Sequence, residues 1–132
     1  MQKTRRTVLS TIAAGLIAGA VAMPISASAL TLGFAQVGAE SEWRTANTGS
    51  IKDAAKAAGI TLKFSDAQQK QENQIKAIRS FIAQKVDVIA FAPVVTTGWD
   101  TVLMAATKAR FPVVLTDCSI VNKEQTMSVI II

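Results

Sequence analysis

The sequence predicts an α/β fold built on a doubly wound parallel sheet, from three observations. Beyond Thr31, short apolar runs alternate with amphipathic stretches of helical period at close spacing. Those runs are apolar almost without interruption, the pattern of strands covered on both faces rather than on one. Half of the 132 residues are apolar and 17% are charged, so the chain carries enough apolar surface for a core, and its length suits one ordinary domain.

Thr31 to Val37 reads as a buried strand stopped by Gly38. Ser41 is an N-cap candidate for a helix to about Ala58, with Ile51, Ala54, Ala55 and Ala58 on one face and Gly59 as the stop. Ile60 to Phe64 is a second strand in which Ile60, Leu62 and Phe64 alternate with Thr61 and Lys63. Ser65-Asp66 opens the next turn, with Asp66 a candidate cap. The helix that follows, to Lys85, carries a stripe of Ile75, Ile78 and Ile82 flanked by Phe81. Its first turns, Gln68 to Gln74, are polar all round and are expected to face solvent or a cleft. Val86 to Ala92 is a third strand closed by Pro93, and a helix from about Trp99 to Ala109 packs through Val102, Leu103 and Ala106. Pro112 to Thr116 is the fourth strand. In a sheet of this kind the crossovers are right-handed and ligands meet the carboxyl ends of the strands, here residues 36–43, 65–69, 92–97 and 117–119.

The two ends of the chain read differently. Lys3, Arg5 and Arg6 precede a 16-residue stretch, Val8 to Met23, that is apolar apart from Ser10 and Thr11; Pro24 and then Ala27-Ser28-Ala29 follow. A basic head, an apolar run and an A-x-A site predict a signal peptide over residues 1–29, cleaved after Ala29. The alternative, a membrane anchor, is disfavoured because a span needs about 20 apolar residues. Thr4-Arg5-Arg6-Thr7-Val8-Leu9 also resembles a twin-arginine signal, so export by either general route is open. At the other end Met127 to Ile132 is an apolar run with high strand propensity, and the chain is expected to be a truncated piece of a longer domain.

Cleavage changes the charge argument. The net charge of +5 comes largely from the leader: without it, 14 basic residues fall to 11 against 9 acidic ones. The case for nucleic acid as a partner loses its main support. The chain has no His and no Tyr and a single Cys, which excludes a His-based triad, an internal disulfide and a thiolate metal cluster. Neither a G-x-S-x-G elbow nor a G-x-G-x-x-G loop follows a strand. An enzyme is not expected, and neither a cofactor nor a metal is implied.

Three segments carry a family resemblance. They are Thr31-Leu32-Gly33-Phe34-Ala35-Gln36-Val37-Gly38 with Glu40-Ser41 and Trp43-Arg44, the run Gln68 to Phe81, and Ala92-Pro93-Val94-Val95-Thr96-Thr97-Gly98-Trp99. Together they resemble the periplasmic sugar-binding proteins of ABC importers, within the ribose-binding-like group and its galactofuranose-binding subgroup. The resemblance implies a type I periplasmic binding protein, of which residues 30–132 would be the incomplete N-terminal lobe. It further implies a monosaccharide ligand held between two lobes, a permease partner in the inner membrane, and residence in the periplasm.

Sugar recognition needs charge-assisted hydrogen bonds to hydroxyls and an aromatic plane against the ring. Gln36, Trp43 and Arg44 follow the first strand and Asp117 and Cys118 the fourth, so these five are the candidate ligand-binding residues. In the family pattern an Asp-Arg pair occupies the last place; here Asp117 is retained and Cys118 stands where the Arg would be. A thiol is a weak donor without the guanidinium fork, and loss of a charged donor costs about 1.5–3 kcal/mol. Each has a plainer reading: Trp43 as a core or lid residue, Arg44 as a solvated side chain, Asp117 as a turn residue, and Cys118 as an inert thiol. Gln68 and Gln69 either shape the cleft rim or are solvated. A sugar or autoinducer sensor of the same fold and the effector lobe of a transcription regulator are the alternative functions, the latter lacking the N-terminal DNA-binding helices it requires.

Overall fold

The computed structural model describes residues 28–117, 120 and 129–131. The elements are β1 (Thr31–Gln36), α1 (Glu42–Ala57), β2 (Thr61–Asp66), α2 (Gln71–Ala83), β3 (Val88–Phe91), α3 (Asp100–Lys108), β4 (Val113–Leu115) and β5 (Val129–Ile131). The strands form one sheet in the order β2-β1-β3-β4-β5, and every adjacent pair is parallel. The expected fold class is therefore present. The strand order reverses at β1, where β2 lies to one side and β3 to the other, and this is where crevices open in sheets of this class.

Successive residues of a strand point to opposite faces, so β1 assigns the helices to layers. Gln36 bonds Asn47 and Thr48 of α1, which puts α1 on one face. Gly33 lies on the other, directly under the ring of Phe81 from α2; a Cβ on Gly33 would stand 2.5 Å from Phe81 Cγ. The strand register repeats the division, with Phe34 opposite Phe64 and their rings stacked at 6.3 Å on the α1 side. The larger core is on the α2–α3 side, where Ile78, Phe81, Ile89, Phe91, Trp99, Val102, Leu103, Val113 and Leu115 are all buried.

Several local expectations need correction. Of the proposed α1 face only Ala55 is buried; Ile51 is half-buried, and Ala54 and Ala58 are exposed. α1 rests mainly on edge strand β2, whose burial alternates as its Leu62 and Phe64 pattern predicts, and one small residue suffices for that contact. α2 begins at Gln71 behind Lys70, later than expected, because Asp66 Oδ1 accepts from the Gln68 backbone N–H at 2.7 Å and makes a turn there instead of capping the helix. Gln68 and Gln69 then adopt positive φ of 53° and 60°, and the loop hooks back onto β1 through Gln69 N donating to Val37 O at 2.7 Å. Finally, the buried face of α2 is centred on Gln74, Ala77, Ile78 and Phe81, with Ile75 and Ile82 as half-buried flanks.

Candidate functional site

The carboxyl ends of β1 and β4 bring three of the five expected residues into one cluster. The chain leaves β1 through Val37 and Gly38, turns at Ala39 and Glu40, and enters α1 at Ser41. Ser41 is extended, as an N-cap must be, and its Oγ accepts from the Arg44 backbone N–H at 3.2 Å. That cap fixes Trp43 and Arg44 in the first turn of α1. Arg44 then reaches across the strand ends to Asp117, with Nη1 3.0 Å from Asp117 Oδ2, while its Nε donates to Glu40 Oε1 at 3.2 Å. The guanidinium carbon lies 4.9 Å from the centre of the Trp43 ring, within cation–π range.

The exposures differ in a way that bears on function. Trp43 is 54% exposed, a large aromatic surface presented outward. Arg44 is mostly covered, with 17% of its side chain exposed against 33% for Asp117. The Arg44–Asp117 contact is an ion pair without hydrogen-bond alignment: Nη1 is shielded from solvent and directs its protons at no acceptor among the described residues. Asp117 holds φ at 76°, a left-handed conformation that disfavours most side chains but that Asp tolerates better than most. A strained backbone that carries an exposed carboxylate onto a shielded arginine is an arrangement suited to holding polyol hydroxyls, which donate to a carboxylate and accept from a guanidinium.

Gln36 takes a different place from the one its position at the strand end suggests. It is wholly buried; its Nε2 donates to Asn47 Oδ1 at 2.9 Å and Thr48 Oγ1 at 3.2 Å, and its Oε1 accepts from Val37 N at 3.0 Å. With both ends of the amide engaged, Gln36 ties β1 to α1. Cys118 lies outside the described residues. Trp99, read as part of a helix start, is 1% exposed, tilted against Phe91 at 4.9 Å, and donates its indole N–H to Val95 O at 2.7 Å.

Two site-shaping residues escaped the sequence reading. Gln74, in a stretch expected to face solvent or a cleft, is fully buried and bridges three backbone groups: Nε2 donates to Ala92 O at 2.6 Å and Ala35 O at 3.4 Å, and Oε1 accepts from Val94 N at 3.0 Å. Gln71 Nε2 donates to Thr97 O at 2.7 Å. The first turns of α2 therefore hold the loop after β3 against the carboxyl ends of β1 and β3. Two glutamines three apart, opening a helix otherwise apolar on that side, were the available signal. An open groove of about 560 Å³ also lies between β2 and α2, lined by Lys63, Asp66, Asn73, Lys76 and Ser80, and it is separate from the Arg44 cluster.

Comparison with known proteins agrees with this architecture. The chain is 51% identical over 123 residues to the galactofuranose-binding protein YtfQ of Escherichia coli (strain K12), covering 93% of this chain and 37% of that protein. A Mycobacterium smegmatis protein crystallised in complex with β-D-fucofuranose superposes with a TM-score of 0.73 at 64% identity, covering 74% of this chain and 32% of that one. The periplasmic binding component of the arabinose ABC transporter of Shewanella sp. ANA-3, bound to α- and β-L-arabinofuranose, gives a TM-score of 0.70 at 60% identity, over 71% and 31% of the two chains. The chain thus spans about a third of the length of these relatives. Residues 32–131 match the family model described as the periplasmic binding protein domain. The chain belongs to the periplasmic binding protein domain family.

Proposed function

We propose that this chain supplies one wall of a furanose-binding site in the substrate-binding component of a sugar ABC importer, with Trp43, Arg44 and Asp117 as the wall's contact residues, Cys118, next in sequence to Asp117, as a further candidate, and the buried Gln36 as a link between β1 and α1. The observation that carries the reading is the cluster itself: residues from two separate strand ends converge, one an arginine paired with carboxylates and one an exposed indole. Sugar-binding relatives at 51–64% identity support a monosaccharide of the furanose class, galactofuranose or a related aldose, as the ligand. A binding role, without catalysis, fits a cluster that offers complementary hydrogen-bonding charge and an aromatic plane. On this reading residues 30–132 form part of an N-terminal lobe, and the rest of a two-lobed receptor closes on the sugar and docks on a permease in the inner membrane.

The test is calorimetric. Joined to the remaining two-thirds of the E. coli relative, the chain should bind galactofuranose, and Asp117→Ala should weaken that binding by about tenfold or more, the loss expected when a charged hydrogen-bond partner is removed. An unchanged affinity would remove Asp117 from the site.

The same reading includes export. Residues 1–29 serve as a cleaved leader and the mature protein resides in the periplasm. The position of the sheet supports this assignment, since Thr61 N donates to Leu30 O at 2.9 Å and ladder pairing begins immediately afterwards, at Thr31. Cleavage between Ala29 and Leu30 is the expected result of N-terminal sequencing of exported material; an intact Met1 would contradict it.

A further inference from the structure

We infer that Glu40 is the positioning residue for Arg44, and that Gly38 is glycine so that the Glu40 carboxylate can fold back to reach it. The inference rests on the sugar-wall reading for its functional consequence and on geometry for its substance.

Arg44 is the third residue of α1, and a cation there meets the positive end of the helix dipole, so nothing in helix stability favours it. Its direction is set from outside the helix. Glu40 precedes the cap residue Ser41 and is therefore not part of a helical i,i+4 surface pair, although the spacing is the same. Its Oε1 receives Arg44 Nε at 3.2 Å, while Asp117 takes the Nη1 side at 3.0 Å and the Trp43 ring lies against the guanidinium at 4.9 Å. The two acids hold different nitrogens, so the guanidinium cannot rotate about its last torsion without losing one of them. Asp117 is a proposed sugar contact; Glu40 acts through Arg44.

Gly38 supplies the independent observation. It is buried at the end of β1 and its φ is not positive, so its backbone conformation does not require glycine. Space does. A Cβ there would stand 2.6 Å from Glu40 Oε2 and 3.3 Å from Gln69 Cγ. The nearer atom is the tip of a flexible side chain, so an alanine would be accommodated by displacing the carboxylate from its seat while the strand stays in place. Gly38→Ala thus perturbs the clamp through the Glu40 carboxylate while leaving both partners' own side chains unsubstituted.

The experiment uses the ¹⁵N-labelled chain and two readouts, water exchange of the Arg44 Nε–H and backbone shifts on titration with galactofuranose. Glu40→Ala and Gly38→Ala should each speed Nε–H exchange and raise the apparent sugar dissociation constant by about threefold, a magnitude suited to a partly exposed ion pair. Glu40→Gln, which keeps an acceptor at the same place, should fall between wild type and Glu40→Ala. Unchanged Nε–H exchange in both alanine variants overturns the clamp. Faster exchange with an unchanged sugar response overturns the positioning role and leaves a surface ion pair. If the wild type itself shows no sugar response, the sugar reading fails and the exchange measurement alone decides the clamp.

Discussion

Gln74 shows how much a single side chain decides at this site. Its amide closes the gap between the ends of β1 and β3 by bonding Ala35 O and Ala92 O in the interior and the part-buried Val94 N. Ala35 O retains the Ala92 N–H when the amide is gone, whereas no other bond is found to Ala92 O or Val94 N among the described residues. Gln74→Ala should therefore lower stability by about 2–4 kcal/mol, combining a cavity with stranded polar groups. Urea unfolding reads this directly, and a change within about 0.5 kcal/mol, the scatter of ordinary surface substitutions, would mean the bridge is dispensable. Trp43 and Arg44 follow β1 and Asp117 follows β4, as expected, because the position of a residue after a strand follows from the pattern of apolar runs. The sequence misjudged Gln74 and Gln36, because a glutamine that satisfies buried backbone groups and one that is solvated look alike in a linear pattern. Only the neighbours across the sheet distinguish them.

The elements were legible wherever one physical signal dominated. β1, β3 and β4 announced themselves as continuous apolar runs, Ser41 as a cap, and α3 by the burial of Val102, Leu103 and Ala106, all of which the structure bears out. The start of α2 was less legible, since Asp66 can cap a helix or close a turn, and here the turn wins. The contact between β1 and α2 was not legible at all. Gly33 lets the Phe81 ring approach the sheet so closely that an added Cβ would meet Cδ2 at 2.7 Å as well as Cγ at 2.5 Å. Gly33→Ala should destabilise the chain by about 1–3 kcal/mol through overpacking. The companion change Phe81→Leu has a cost of its own, but in the double variant the two costs should sum to less than their separate values. Strict additivity in that cycle would mean that Gly33 and Phe81 do not share the contact on which α2 is seated.

At the scale of the molecule, the charged cluster lies beyond the carboxyl ends of β1 and β4 of a single parallel sheet. α1 carries the aromatic and the arginine, β4 delivers the carboxylate, and α2 holds the intervening loop. The chain spans 37% of the galactofuranose-binding relative, and on the proposed reading it would offer a sugar one wall. One wall leaves the opposite hydroxyls in water and the ligand's entropy loss largely uncompensated, so affinity should be low although the contact residues are in place. Trp43, Arg44 and Asp117 are proposed as that wall. The most direct test is a titration of the ¹⁵N-labelled 132-residue chain with galactofuranose, galactose, ribose and arabinose. Shifts are expected to centre on the Trp43 indole, the Arg44 side chain and the Asp117 backbone, with a dissociation constant of roughly millimolar or weaker, about −4 kcal/mol or less in magnitude. Shifts confined to the groove between β2 and α2, or the absence of any response in the cluster, would contradict the wall, and a micromolar constant would contradict its being only one side of the site.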